Sequence, residues 1–175
     1  MKKIGLIYWP KGGSVERCAT MMFDKIENSD IEILALDDVN VSKISGYDLI
    51  ILGGSTVGAD HWEDARTENQ WSYFFADLKN NNIDLKGKKV ALFGLGNQVL
   101  YPSQFVDGIN SLKKSIEAFG PEFIGSWSVN SYDFEESESI VGGRFVGLPL
   151  DEDTQSELTE TRIEKWVKQL SEEYE

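Results

Sequence analysis

The hydrophobic positions of this chain fall into short unbroken runs separated by stretches with helical spacing. Four runs, Ile4 to Trp9, Ile31 to Leu36, Leu49 to Leu52 and Val90 to Phe93, are apolar nearly throughout, and several end at glycine. A strand that is apolar at almost every step has no wet face, so these runs predict strands buried on both sides of a parallel sheet. Phe123 to Trp127 predicts a fifth strand, and Arg144 to Leu150 a further short one. Between the runs, Val15, Ala19, Met22 and Ile26 recur at helical spacing behind Ser14, a capping residue type. Trp71, Phe74, Phe75 and Leu78 mark a second helix. Val106, Ile109, Leu112, Ile116 and Phe119 mark a third, ended by Gly120-Pro121. Ile163, Trp166, Val167 and Leu170 mark the last, with Thr159 as its expected cap. Strands alternating with helices build βαβ units with right-handed crossovers, hence an α/β fold around a parallel sheet. Two loops, Gly53 to Asn69 and Ser128 to Gly143, are long, as loops that serve function often are.

Composition narrows the classes. The 175 residues are expected to form one domain, 1–175, with 41% hydrophobic and 27% charged residues, an ordinary globular balance. Against 30 Asp plus Glu stand 17 Lys plus Arg, a formal net charge of −13. Such a surface repels nucleic-acid phosphates and anionic lipid, and suits partners that present basic patches. Cys18 is the single cysteine, so no intrachain disulfide forms and a reducing compartment is expected. The opening run is too short for a signal-peptide core, and no segment approaches the roughly 20 apolar residues that span a bilayer, so the expected location is the cytoplasm. One histidine, His61, and one cysteine cannot make a zinc site, and no pattern resembles a Ser/His/Asp triad or a paired-carboxylate site. No metal, no catalytic residue and no membrane are expected.

In an open parallel sheet, ligands bind beyond the carboxyl ends of the strands. Three glycine-bearing loops leave such ends. Trp9-Pro10-Lys11-Gly12-Gly13-Ser14 opens a helix, where free N–H groups and the positive dipole end suit a phosphate; it also reads as a plain tight turn. Gly53-Gly54-Ser55-Thr56-Val57-Gly58-Ala59-Asp60 offers backbone that a planar ligand can approach closely. Gly94-Leu95-Gly96-Asn97-Gln98-Val99-Leu100-Tyr101 adds two glycines and an aromatic able to stack on a ring. Cys18 reads as a small packed hydrophobe rather than a redox thiol. The acid runs Glu135-Glu136 with Glu138, and Glu172-Glu173, read as solvated faces, with partner docking as the alternative for the first.

Here the sequence resembles the long-chain flavodoxin family over nearly its whole length. The resemblance is carried by Val90-Ala91-Leu92-Phe93-Gly94-Leu95-Gly96-Asn97-Gln98 with Tyr101, by Gly125-Ser126-Trp127-Ser128 with Tyr132-Asp133-Phe134, and by Phe145-Val146-Gly147-Leu148 followed by Leu150-Asp151-Glu152-Asp153-Thr154-Gln155. The loop between Val57 and Trp71 is similar to that of the subgroup associated with nitrogen-fixing bacteria. The resemblance implies a three-layer sandwich with a five-stranded parallel sheet in order 2-1-3-4-5. It places the insertion that splits the fifth strand at Ser128 to Leu150. It implies non-covalent FMN and one-electron transfer between a reductase and acceptor proteins, by a monomer that is not itself an enzyme. Carried over by position, Tyr101 stacks on the outer flavin face and Val57 takes the inner-face place. The backbone of Thr56 to Ala59 and of Gly94 to Asn97, including Leu95 and Gly96, lines the ring, and Asp153 approaches the ribityl chain. Ser55 and Gln104 complete the expected set. The resemblance also implies that the peptide after Gly58 turns over when the flavin gains one electron.

The phosphate loop departs from the family pattern Ser/Thr-x-Thr-Gly-x-Thr. Here it reads Pro10-Lys11-Gly12-Gly13-Ser14-Val15, which keeps Gly13 but loses all three hydroxyls, and Pro10 has no N–H. The expectation is that Gly12, Gly13, Ser14 and Val15 donate backbone N–H groups, the Ser14 hydroxyl adds one donor, and Lys11 adds charge. Asn97 stands where an acid is common. The rival reading is a flavodoxin-like binding or interaction module that has lost FMN. A flavin enzyme such as a quinone reductase fits less well, since no substrate-pocket segment is apparent beyond the flavin loops.

Overall fold

In a computed structural model, which describes residues 1–55 and 70–174, the sheet runs β2-β1-β3-β4-β5 with all pairings parallel. Its strands are β1 (Lys3–Trp9), β2 (Asp30–Ala35), β3 (Leu49–Ser55), β4 (Lys89–Leu95) and β5 (Glu122–Ile124). The helices are α1 (Ser14–Lys25), α2 (Gln70–Asn80), α3 (Asp107–Glu117) and α4 (Ser156–Glu173). The three layers follow from the two-residue period inside the apolar runs. Ile4, Leu6, Leu49, Ile51, Ala91 and Phe93 point to one face and pack under α1 and α4. Ile7, Ile50, Leu52, Val90 and Leu92 point to the other, under α2 and α3. A run with no polar step is what a sheet covered on both sides requires. Among the described residues no helix is long and apolar enough to cross a membrane.

The expected order 2-1-3-4-5 is the order found, and the fifth position is split between two pieces. β5 pairs with Lys89 to Ala91 of β4, whereas Leu148–Leu150 pairs with Phe93 to Leu95. Between them the chain forms a small antiparallel sheet of β6 (Trp127–Ser128), β7 (Ile140–Val141) and β8 (Arg144–Phe145), and Leu148–Leu150 is β9.

Several boundaries differ from expectation, each for a local reason. β3 and β4 do not stop at Leu52 and Phe93. They continue through Gly53, Gly54 and Gly94, because backbone groups pair in the ladder whether or not a side chain is present. The space left by the absent side chains is filled by neighbours: the Phe93 ring lies against Gly53, and Ile109 against Gly94. The run Phe123 to Trp127 breaks at Gly125, with φ +80°, so Trp127 belongs to the small sheet. The run Arg144 to Leu150 divides likewise into β8 and β9, and β9 is sheet rather than insertion. Ser14 is the first helical residue, with Gly13 at the cap. Thr159 is not a cap: α4 begins at Ser156, and the Thr159 hydroxyl donates to Glu152 at 2.8 Å.

Candidate flavin site

Register alone brings the candidate loops together. Trp9 pairs with Gly54, Ser55 with Leu95, and Leu95 with Leu150, so β1, β3, β4 and β9 all end at one edge. Gly96 extends the edge by donating its N–H to the Leu150 carbonyl at 3.0 Å. Thr56, Val57, Gly58 and Ala59, with His61, lie outside the described residues.

The first loop turns from β1 into α1. Gly12 has φ +80°, a left-handed conformation that glycine adopts without strain, and among the described residues nothing lies within 4 Å of where a Cβ would stand on Gly12 or Gly13. Among the described residues no side chain caps Gly13, so the first-turn N–H groups of α1 are left for a ligand. An uncapped helix N-terminus behind open glycines fits a phosphate. One expected donor is engaged elsewhere: the Gly12 N–H donates to the Glu16 carboxylate at 2.7 Å, and the Tyr8 hydroxyl donates to the other oxygen of Glu16. These bonds, the Tyr8 one first, hold the Glu16 carboxyl below its ordinary range. Burial, then the hydrogen bond to Glu16, pushes the Tyr8 phenol up to about 12. The Lys11 ammonium lies 2.7 Å from Asp37. Arg17, outside the expected set, donates to the Ser14 hydroxyl oxygen at 2.9 Å.

The third loop is shaped by side chains on both flanks. A Cβ on Gly96 would meet Val106, the residue before α3, at 2.9 Å, so this glycine admits Val106 close to the sheet edge, as Gly94 admits Ile109 of α3. Asn97 folds the turn: its Oδ1 accepts N–H bonds from Val99 at 3.0 Å and Leu100 at 2.8 Å. Its Nδ2 donates to Asp153 at 3.2 Å, so a carboxylate stands beside the position where the neutral amide replaces an acid. Val99, Leu100 and Tyr101 follow as a run of exposed apolar side chains, with Tyr101 52% exposed. The exposed Gln104 donates its backbone N–H to the Tyr101 carbonyl at 3.3 Å.

The residue that joins the third loop to the turn after β9 is Asp151, quoted in the motif but not foreseen as part of the site. It is fully buried. One carboxylate oxygen accepts from the Gln98 N–H at 3.1 Å, the Gln98 amide at 3.0 Å and the Thr154 hydroxyl. The other accepts the N–H groups of Asp153 at 3.2 Å and Thr154 at 2.8 Å. Burial alone would raise this carboxyl. The bonds from Thr154 and Gln98 outweigh it and hold it below the ordinary aspartate range. Gln98 in turn accepts the Asp133 N–H, which ties the insertion to the same knot. The spacing Asp151-x-x-Thr154, an acid able to bond the N–H groups two and three residues on, is the signal that could have found it. The acid run also lies beside the site. The N–H groups of Glu135 and Glu136 donate to the Pro102 carbonyl at 2.8 and 2.9 Å, one residue from Tyr101. Cys18 is fully buried, as expected of a packed hydrophobe.

A flavodoxin family model matches residues 6–166. The chain is 36% identical over 173 residues to a flavodoxin from a Nostoc species, covering 99% of this chain and 98% of that one. It is 35% identical over 170 residues to flavodoxin 1 of Escherichia coli, covering 97% and 93%. Its fold matches the crystal structure of Fusobacterium nucleatum flavodoxin bound to flavin mononucleotide, with a TM-score of 0.85 at 27% identity and full coverage of both chains. With the split fifth strand and the loop knot in place, the chain belongs to the flavodoxin family.

Proposed function

We propose that the protein binds one FMN at this edge and carries single electrons between redox partner proteins. The observation that carries the reading is the uncapped, open N-terminus of α1 at the edge where Ser55, Leu95 and Tyr101 end their strands or loops. The phosphate is held by the N–H groups of Gly13, Ser14 and Val15 and the Ser14 hydroxyl, with Trp9, Pro10, Lys11 and Gly12 shaping the loop. Tyr101 covers one ring face, and the backbone of Gly94, Leu95, Gly96 and Asn97 lines the ring edge. Asp153 reaches the ribityl side, and Gln104 supports the turn that carries Tyr101. Thr56, Val57, Gly58 and Ala59 complete the pocket by the family resemblance. Bound FMN supplies the one-electron chemistry, so the chain needs no general acid or base. Its work is to hold the ring, exclude water from one face and set the charge around it.

The monomer meets a basic reductase and a basic acceptor at the exposed ring edge. Val99 and Leu100 offer apolar contact there, while Glu135 and Glu136 steer the approach. Two titrations test the reading. Apoprotein should bind FMN one to one with quenched flavin fluorescence, and the holoprotein should accept two electrons in separate steps in a reductive titration. Protein that stays colourless and ignores added FMN would instead support the interaction-module reading, for which the missing loop hydroxyls and the engaged Gly12 N–H speak.

A further inference from the structure

The phosphate loop has lost three hydroxyls, and a carboxylate, Glu16, stands beside it. A phosphate dianion therefore needs a cation that the family pattern does not require. Among the described residues two cations stand near this loop, and the structure separates them. Lys11 turns its ammonium to Asp37 at 2.7 Å, away along the sheet edge toward the end of β2. Arg17 sits one turn into α1, where side chains lean back toward the helix N-terminus. Its Nη2 donates to Ser14 Oγ at 2.9 Å, and its other described partner is Glu152 at 3.6 Å. The Arg17 side chain is 63% exposed and reaches the loop through Ser14, so it is open to a ligand there.

The direction of that hydrogen bond matters. A hydroxyl has one hydrogen and two lone pairs. Because the Ser14 oxygen accepts from Arg17, its own hydrogen is left to donate outward. The guanidinium has five N–H groups in a planar fork suited to phosphate oxygens, and few are engaged. We propose that Arg17 and Ser14 form a paired phosphate clamp that replaces the missing loop hydroxyls of this chain. Arg17 polarises and orients Ser14, and both donate to the phosphoryl oxygens. This rests on the FMN reading given above.

Riboflavin and FMN share ring and side chain and differ only in the phosphate, so comparing them isolates the clamp. Dissociation constants of both are measured by flavin fluorescence quenching on apoprotein of the parent, Arg17→Gln, Arg17→Lys, Ser14→Ala and Lys11→Gln, at low and high salt. Arg17→Gln should weaken FMN on the order of tenfold to a hundredfold, as loss of a charge-assisted bond does, and leave riboflavin unchanged. Its FMN affinity should also depend less on salt. Arg17→Lys should recover part of the loss, Ser14→Ala should mimic part of it, and Lys11→Gln should change FMN less than Arg17→Gln. Arg17→Gln that binds FMN like the parent, or weakens both flavins equally, overturns the clamp alone. Parent apoprotein that binds neither flavin overturns the cofactor reading and the clamp together.

Discussion

Replacing Asp151 by asparagine tests whether the loop knot holds the site. The substitution keeps shape and volume but turns one acceptor oxygen into an NH₂ donor. Whichever way the amide sits, that donor faces buried N–H groups: Gln98 N and Nε2 on one side, or Asp153 N and Thr154 N on the other. The Thr154 hydroxyl can rotate to accept, but the N–H groups cannot. Two buried donors losing a charged acceptor should cost about 2–4 kcal/mol. For a domain of this size that lowers the melting temperature by roughly 5–15 °C. The charge-dependent share has a defined pH window. The folded carboxyl lies below its unfolded value, so its contribution is complete above the unfolded aspartate pKa of about 3.9 and is lost as pH falls through the folded pKa. The gap between parent and variant should thus be full at pH 7 and narrow under acid conditions. Urea unfolding of both apoproteins, followed by circular dichroism across pH, measures it. A variant within about 0.5 kcal/mol of the parent at pH 7 would refute the argument, since that is what a neutral surface change gives.

Tyr101→Ala should weaken FMN binding by about 1–3 kcal/mol, from lost stacking and covered area; unchanged affinity in a fluorescence titration would place the ring elsewhere. Burial, then the nearby Glu152 carboxylate, pushes the Cys18 thiol up to about 12. Iodoacetamide at pH 8 should leave the native protein unlabelled and alkylate it once unfolded; rapid native labelling would contradict the buried placement. Asp153→Asn removes the carboxylate bonded to Asn97, so the second one-electron reduction of the bound flavin should shift to a more positive potential in a spectroelectrochemical titration, and a negative shift would reverse the assignment. Reduction by a basic reductase should slow as ionic strength rises, and a salt-independent association rate would remove the steering argument.

The sheet was legible because its chemistry is coarse. Runs such as Leu49 to Leu52 are apolar on both faces, and that pattern admits a covered parallel strand. The strand ends were less legible, since Gly53, Gly54 and Gly94 look like turn residues until the ladder and the covering rings of Phe93 and Trp71 are seen. The caps failed because the helices begin elsewhere: Ser14 is the first residue of α1 behind Gly13, and α4 begins at Ser156, so the hydroxyls of Ser14 and Thr159 bond Arg17 and Glu152 instead. The binding edge was found because each loop follows a strand. Asp151 was not singled out, because an acid within Asp-Glu-Asp looks like solvated surface, and its partner Gln98 is 53 residues away. Only packing tells the two apart.

The split fifth strand has a consequence for how such a chain can change over time. It leaves the sheet after Ile124, opposite Ala91, and re-enters at Leu148, opposite Phe93, so a single rung at Leu92 is left unmatched. Residues 125–147 thus begin and end at almost the same point. Because the entropy of closing a loop grows only slowly with its length, the exposed turn 141–144 within that excursion can lengthen or shorten at little cost to the sheet, whereas the fully buried Ser139 and Phe145 and the Asp133 N–H bonded to Gln98 hold the rest in place. The re-entry itself is far less free: a Cβ on Gly147 would lie 2.2 Å from the Leu92 carbonyl oxygen. The molecule therefore carries a splice point with a permissive outer turn and a strict exit. Segments grafted there should be accepted when they return through glycine and rejected when they do not.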